Sequence, residues 1–581
     1  MSRRPLANLL SASTTDIPAP SAPPARAPTR RVAIGGWDIT PVRFYLGLIV
    51  VGLIVGALSL LIPSTPSYDP WAWIIWGREI VHLNLQTTGG PSWKPLPMIF
   101  TTLFAPFGQA APDLWLVVAR AGAFAAVIMT GRLALRLTRQ IGTHFFTAAA
   151  PAQRSLSAVG PGLLAGAIAM VGLTLTGGFI SDNALGYSEG VAAAAILIAV
   201  ERHLDGQRRQ AFAIGFLAAL DRPEIWLFWG PYGLYLWWKD PGARRLVFAL
   251  FLLIPILWFL PEYWGSGHFL RGASRAQHPR ANSPAFANCP FCTELVDHAW
   301  PTVLLRIKAA GVVMAGAVCF LLWRAWRREG VVATRTPQAQ AQIAAAGAGV
   351  LGLAWFVVIA IMTQAGFSGN NRYLEIGSAL IDVCGAVGWG WATAEITNLV
   401  TGRLRRRSAA TGATGETGDA GDAGDAGTPG DAGTTGAVGS RTAGAVVAVL
   451  ALAFVMLPNW IGPNLINLPK THGSLNYQAQ LRDGANRAVA NYGGPARLLR
   501  CGTVMTEGFQ VPLVAWTLGV HTLRVLSPPP GNNPGPPPNV ILQTRSQRHH
   551  ALLPIVHTWP TVSYVYAGTS GPFRLFTHCR A

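Results

Sequence analysis

Apolar runs of roughly twenty residues, most of them closed by arginine, recur along this chain, and that length matches the hydrocarbon core of a bilayer. The pattern predicts spans at about 41–62, 113–135 and 160–178, then a fourth descending to Arg202, and a short pair at about 210–220 and 225–238. Further spans are expected at about 246–261, 302–323, 343–365 and 376–400, with a last at 443–461, about eleven in all. Arg30 and Arg31 precede the first span and Arg43 stands at its start, so the positive-inside rule keeps the N-terminus cytoplasmic and puts every Arg-rich loop on the same side. The expected fold is a polytopic α-helical membrane protein.

The polar positions divide the remainder. Residues 1–42 are rich in Pro, Ala, Ser and Arg and read as a disordered cytoplasmic tail, while 408–442, built on Gly-Asp-Ala repeats, reads as a low-complexity cytoplasmic linker. A transmembrane domain over 43–407 carries long outer loops at 63–112 and 262–300. The segment 462–581 falls outside the membrane and suggests a small extracytoplasmic α/β domain. Its pattern gives helices near 474–491 and 509–519, with strands near 496–501, 521–526, 539–544, 562–566 and 573–578.

The first outer loop opens with Ser67-Tyr68-Asp69-Pro70-Trp71-Ala72-Trp73-Ile74-Ile75-Trp76. Asp69 before Pro70 suggests an N-cap and first helical residue, and Trp73, Trp76 and Ile80 share one face at helical spacing. This predicts a short amphipathic helix lying in the interface. The later run Thr87 to Pro97 has the Gly and Pro content of irregular backbone. In the short pair, eleven helical residues rise only ~16 Å, so Asp221-Arg222-Pro223-Glu224 sits at depth. Either the broken pair lines an aqueous cleft, or Arg222 ties two helices by an internal salt bridge.

Composition adds less than patterning. With 51% hydrophobic and 12% charged residues the chain is no ordinary soluble globule, and its formal charge of +19 follows from membrane topology and implies no nucleic-acid partner. No Walker A, GxGxxG after a strand, or HExxH motif occurs, which argues against nucleotide-driven transport and metalloprotease chemistry. Cys319 and Cys384 fall within spans. The other four cysteines lie on the oxidising side, where Cys289 with Cys292 and Cys501 with Cys579 are the expected disulfides, the latter joining the last strand of the C-terminal domain to its first.

Ordered by predicted depth, the outer face gathers Asp69, Glu79, Lys94, Asp182, Glu189, Asp221, Arg222, Glu224, Arg372 and Tyr373. If these converge, a carboxylate can take a proton from an acceptor hydroxyl while Arg or Lys neutralises a departing phosphate, and Trp71, Trp73, Trp76 and Tyr187 can line a substrate. The guanidinium of Arg372, beside Gly369, Asn370 and Asn371, suits phosphate. The spacing requires no metal, although several outward carboxylates could hold a divalent cation with water.

The layout resembles the GT-C class of polytopic glycosyltransferases, which includes protein O-mannosyltransferases, aminoarabinose transferases and actinobacterial envelope arabinosyl- and mannosyltransferases. The resemblance rests on Asp69 after the first span, on Asp182 and Glu189 after the third, on the Asp221-Arg222-Pro223-Glu224 turn, and on Gly369-Asn370-Asn371-Arg372-Tyr373-Leu374. It covers roughly residues 43–400. The first loop departs from the class in having a single Asp followed by Pro rather than adjacent acids. What the resemblance implies is transfer of a pentose or hexose from a polyprenyl-phosphate donor to an envelope glycan or other outward acceptor, with inversion. Asp69 is then the preferred general base, with Asp182, Glu189 and Asp221 as substitutes. Arg372, Tyr373, Arg222 and Lys94 are the donor-phosphate candidates. Two other readings of the chain are a secondary transporter or flippase working through Asp221 and Glu224, and a non-catalytic partner in envelope assembly.

Overall fold

A computed structural model describes residues 32–34, 37–39, 41–142, 159–279, 283–329, 335–413, 444–457, 468–528, 533–545 and 550–579. Most of the tail and linker read from composition falls outside these residues. Two described segments overlap those stretches. Strands β1 (Val32–Ile34) and β2 (Trp37–Ile39) pair antiparallel within the stretch expected to be disordered. The helix expected to stop near residue 400 runs on to Ala413.

The chain divides into a unit up to Val50 and a second from Val51 to Ala581. Helix α1 (Pro41–Leu58) begins in the first and ends in the second. The second unit continues with α2 (Tyr68–Val81) and α3 (Pro95–Phe104), followed by α4 (Ala111–Ile141), α5 (Val159–Leu175), α6 (Phe179–Ala184) and α7 (Glu189–Leu204). The short pair is α8 (Arg208–Ala219) and α9 (Trp226–Lys239), joined by a tight turn, and α10 (Arg244–Ser266) and α11 (Arg271–Ala276) follow. The long helices α12 (Leu305–Glu329), α13 (Pro337–Gln364) and α14 (Glu375–Ala413) complete the bundle, with the apolar α15 (Gly444–Leu457) after them.

Among the described residues five stretches are long and apolar enough to cross a membrane: Val42–Leu61, Pro95–Ile141, Pro241–Ser266, Leu305–Arg328 and Pro337–Gln364. The class is the polytopic helical one read from the sequence. Small residues let these helices approach closely. A Cβ on Gly131 would sit 2.5 Å from Met170 Cγ, one on Gly190 2.9 Å from Ala123 Cα, and one on Gly385 2.2 Å from the Ile307 carbonyl. In lipid, where apolar side chains gain little by leaving their solvent, such backbone proximity is what holds a bundle together.

The C-terminal domain comprises α16 (Leu468–Asn491), α17 (Pro495–Cys501), β3 (Val504–Thr506), α18 (Val511–Leu518), β4 (Val525–Leu526), β5 (Val540–Arg545), β6 (Leu552–Leu553), β7 (Val565–Ser570) and β8 (Phe573–Thr577). The sheet order is β4-β3-β5-β8-β7, with β6 on β5; β3 pairs parallel with β4 and β5, and β8 antiparallel with β5 and β7.

This is the small α/β domain expected, with corrections. The strand expected over 496–501 is helix α17, because Pro495 opens the turn at the first helical position and Ala, Leu and Arg then favour it. Much of the strand expected over 521–526 is a 3-10 turn at Thr522–Arg524, and the strand expected over 562–566 starts later, at Val565. Cys501 and Cys579 are bonded, as are Cys289 and Cys292. The former bond therefore joins the end of a helix, not a first strand, to the residue beyond β8.

The Trp-rich helix also differs from expectation. Trp71, Trp73 and Trp76 are 2%, 0% and 0% exposed, so the tryptophans of α2 are enclosed within the protein and it is not an interfacial helix. The C-terminal domain supplies part of the cover: Trp71 lies against Trp516 (centroids 5.9 Å apart) and Arg78 Nη2 donates to the Val520 carbonyl (2.9 Å). Its N-cap is Ser67, with Asp69 inside the first turn, so the Asp69 carboxylate is left for a partner elsewhere.

Candidate functional site

The polar residues expected on the outer face meet around one buried ion-pair network. Asp69, held by the first turn of α2, accepts a hydrogen bond from Arg372 Nη2 at 2.6 Å. Arg372 stands on a 3-10 turn, Asn371–Leu374, immediately before α14, and its guanidinium lies 3.8 Å from the Tyr187 ring centroid. Tyr187 exchanges a 2.9 Å hydrogen bond with Ser67, which ties the loop before α7 to the start of α2. These two contacts fix Asp69 and Arg372 opposite each other.

Glu189, the first residue of α7 and 1% exposed, collects the cations. Its Oε1 accepts from Lys94 Nζ at 3.0 Å and from Arg222 Nη1 at 3.0 Å, and lies 3.6 Å from Arg372 Nε. Lys94 also donates to Ser188 (3.2 Å) and lies 3.7 Å from Asp221, which is 0% exposed. Arg222 donates through Nη2 to Glu224 Oε1 at 2.9 Å, while its guanidinium stacks 3.7 Å from the Tyr373 ring centroid. Of the two meanings considered for the broken α8–α9 pair, the salt bridge is present: Arg222 ties it to α7, and the cavity its turn faces is apolar, not the aqueous cleft. Glu189 Oε1 is shared among three cations, while Glu189 Oε2, both Asp221 oxygens and Arg372 Nε are buried with no hydrogen-bond partner among the described residues.

Two cavities flank this network. A polar chamber of about 570 Å³ is lined by Asp69, Asp182, Lys94, Arg372, Tyr187 and Tyr373, among others. An apolar chamber of about 440 Å³ is walled by Trp93, Trp226, Trp258, Phe259 and Phe269 and reaches Asp221, Arg222 and Glu224. Ser92, Lys94, Ala276, Ser368 and Tyr373 line both, so the chambers meet at Lys94 and Tyr373. A long apolar chain with a charged end fits such a junction: the chain is covered on one side and the charge meets cations on the other.

Electrostatics sharpen the assignment. Burial pushes the Asp182 carboxyl up to about 7, an effect that Arg372 opposes and Glu189 reinforces. Burial alone would pull Arg372 down, but Asp69 and the neighbouring phenols outweigh it and hold the guanidinium charged, well above its ordinary value. For Tyr373 burial pushes upward, yet Arg372 and Arg222 together hold the phenol below its ordinary value. A phenol flanked by two guanidiniums is a good donor to an anion.

Several expected residues lie elsewhere. Glu189 lies behind the chamber walls, where it positions cations. Trp71, Trp73 and Trp76 do not line either chamber; Trp73 backs Lys94, whose Nζ lies 5.4 Å from its ring, because the C-terminal domain and the following loop close over α2. Glu79, 2% exposed, faces away, with its Oε1 2.7 Å from His521 Nδ1 and its Oε2 accepting from the Gln86 amide. Burial pushes its carboxyl up despite His521 and Arg78.

Conversely, Phe509 of the C-terminal domain, Arg275, and His298 line the polar chamber without having been singled out. For Phe509 no sequence signal exists, since it reaches the chamber only through the domain's packing on α2. The spacing of Glu294 and His298, four apart in the outer loop, was an available signal. Among the described residues no group of three His, Cys, Asp or Glu side chains is arranged to hold a metal ion. The carboxylates here face Lys and Arg instead.

No protein-family model matches the chain, and no curated protein matches it. Among solved structures the chain is similar to the crystal structure of ArnT from Cupriavidus metallidurans bound to undecaprenyl phosphate, at 12% identity over 92% of this chain and 98% of that one, with a TM-score of 0.43. It is similar to the apo ArnT crystal structure at 14% identity, with the same coverage and a TM-score of 0.43. The cryo-EM structure of arabinosyltransferase EmbB from Mycobacterium smegmatis is similar at 15% identity over 76% of this chain and 41% of that one, with a TM-score of 0.30.

Proposed function

We propose that this protein is a multi-pass membrane glycosyltransferase that moves a pentose or hexose from a polyprenyl-phosphate donor to an extracytoplasmic envelope glycan or similar acceptor. The observation that carries the reading is the Asp69–Arg372 pair, 15% and 11% exposed, in the wall of a polar chamber that joins an apolar one. The lipid chain occupies the apolar chamber, and its phosphate lies at the junction against Lys94, Arg372, Tyr373 and Arg222. The sugar then extends into the polar chamber beside Asp69.

The ion pair also suggests an order of events. Without donor, Arg372 neutralises Asp69 at 2.6 Å. A donor phosphate competes for that guanidinium, and its arrival releases the carboxylate to accept the proton of the incoming hydroxyl. Attack from the face opposite the phosphate inverts the anomeric carbon. Asp182, held near neutrality, is the substitute base; Glu189 and Asp221 serve to hold the cations.

The test uses the purified full-length protein in nanodiscs with polyprenyl-phosphate pentose and hexose donors and an envelope oligosaccharide acceptor. Product formation that disappears in Asp69→Asn supports the reading, and unchanged turnover in that variant removes Asp69 as base. Donor crossing a vesicle membrane with no product formed would favour the transporter reading instead.

A further inference from the structure

The outer loop between α10 and α12 contains a second acid–base pair that the proposed chemistry does not use. After the Cys289–Cys292 bond the chain enters a π-helical segment, Thr293–Ala299, a conformation that is rare and gathers at functional sites. Glu294 in this segment is 0% exposed, and its Oε2 lies 3.1 Å from His298 Nδ1. Its Oε1 has no hydrogen-bond partner among the described residues. A Cβ on Gly369 would fall 2.2 Å from Glu294 Oε2, so the carboxylate is seated against the backbone of the loop that carries Arg372. The π segment also packs directly on the Asn371–Leu374 turn. His298 opens into the polar chamber that Asp69 and Arg372 line.

We propose that His298, oriented by Glu294, is a further catalytic residue that gives its proton to the departing polyprenyl phosphate. This inference rests on the glycosyltransferase reading. The donor phosphodiester carries one negative charge. As the acceptor oxygen bonds to the anomeric carbon and loses its proton to Asp69, the bond from that carbon to the phosphate oxygen breaks and its electron pair stays on the phosphate. A second charge then forms where Lys94 is already matched by Glu189 and Arg372 by the first charge of the phosphodiester that displaced Asp69. Transfer of the His298 proton to that phosphate oxygen balances it, and proton exchange with water restores both residues.

The surroundings support a protonated imidazole. The Glu294 hydrogen bond raises His298 above its ordinary value, burial opposes it, and Asp297 adds to the rise. Of the elements packed on this segment, the Asn371–Leu374 turn brings Arg372 and Tyr373, and α13 brings no charged residue at all. Across the chamber stand Asp69, Asp182, Lys94 and Arg275.

The experiment measures undecaprenyl phosphate binding to the full-length protein in nanodiscs between about pH 6 and pH 8.5, a range that spans imidazole titration. The expected result is that His298→Gln weakens binding about tenfold at the lower pH and removes most of the pH dependence, leaving that of the phosphate itself. Glu294→Gln should move the midpoint down, and His298→Lys should restore affinity without the imidazole step. His298→Lys carries the test if the glutamine variant does not elute as a folded species. Affinity in His298→Gln that equals wild type at every pH, while Arg372→Ala loses binding, overturns this inference alone. Wild-type protein that does not bind the lipid phosphate overturns it together with the function it rests on.

Discussion

The two ends of α2 carry one carboxylate each, and they have opposite fates. Asp69 in the first turn keeps 15% of its surface exposed and faces a guanidinium across a chamber wall. Glu79 in the last turns keeps 2% and is sealed beneath the C-terminal domain against His521. The helix is the same and each acid holds one basic side chain, Arg372 or His521, so neither partnering nor helical position separates them. What separates them is access. An anion in the polar chamber would meet Asp69 and Arg372 directly, whereas Glu79 lies buried against His521 of the C-terminal domain.

This contrast predicts a division of phenotype. Asp69→Asn should lower turnover by about 10²- to 10⁴-fold, the range for loss of a general base, with little change in melting temperature. Glu79→Ala should do the reverse. It leaves the buried face of α2 without its hydrogen bonds to His521 and the Gln86 amide, at a cost of about 3 kcal/mol, while turnover per folded molecule stays near wild type. Activity assays and thermal melts on both variants separate the two. Equal loss of activity in folded Glu79→Ala would place the C-terminal end of α2 in the chemistry and erase the distinction.

Much of the site was legible as an ordered list. Asp69, Lys94, Asp182, Arg222, Arg372 and Tyr373 stand out because charges and Arg-Pro or Arg-Tyr turns beside apolar runs have few structural excuses. Their convergence needed only that the ends of the helices carrying them lie together, which helix packing supplies. The tryptophans misled because periodicity reveals that Trp73 and Trp76 share a face, yet carries no information on what covers the other faces. That cover is Trp516, Val520 and His521, contributed by a domain far along the chain. Strand β3 was missed for a related reason: it is only three residues, buried throughout, and so shows no alternation to read.

A smaller effect tests the chamber side of the comparison. The folded Asp182 carboxyl titrates near 7, above its ordinary 3.8, so the folded state binds more protons than the unfolded one between those values. Its contribution to stability is therefore full below the unfolded value and is lost as pH rises through about 7. Asp182→Asn should remove that slope, gaining on the order of 2 kcal/mol relative to wild type as pH climbs through this window, after allowance for solvent in the chamber. Melting the two proteins across the window measures it. A constant difference at all pH values would mean that the carboxyl is no more protonated when folded, and that the chamber is wetter than its walls suggest.

The weakest expected effect lies where the C-terminal domain meets the start of α4. Arg482 Nη1 donates to Asp113 Oδ1 at 2.7 Å, but the two side chains are 19% and 41% exposed, so water screens the pair. Arg482 also lies 5.7 Å from the Trp71 ring, where its aliphatic stem covers the buried helix. Charge alone should be worth less than about 1 kcal/mol, and Arg482→Met, which keeps much of the stem, should stay within that limit. Arg482→Ala should cost somewhat more by uncovering Trp71. If the methionine variant instead destabilises as much as Glu79→Ala, then the domain is held on α2 by its rim charges, and burial at Trp71 and Glu79 is not what joins it to the helix that carries Asp69.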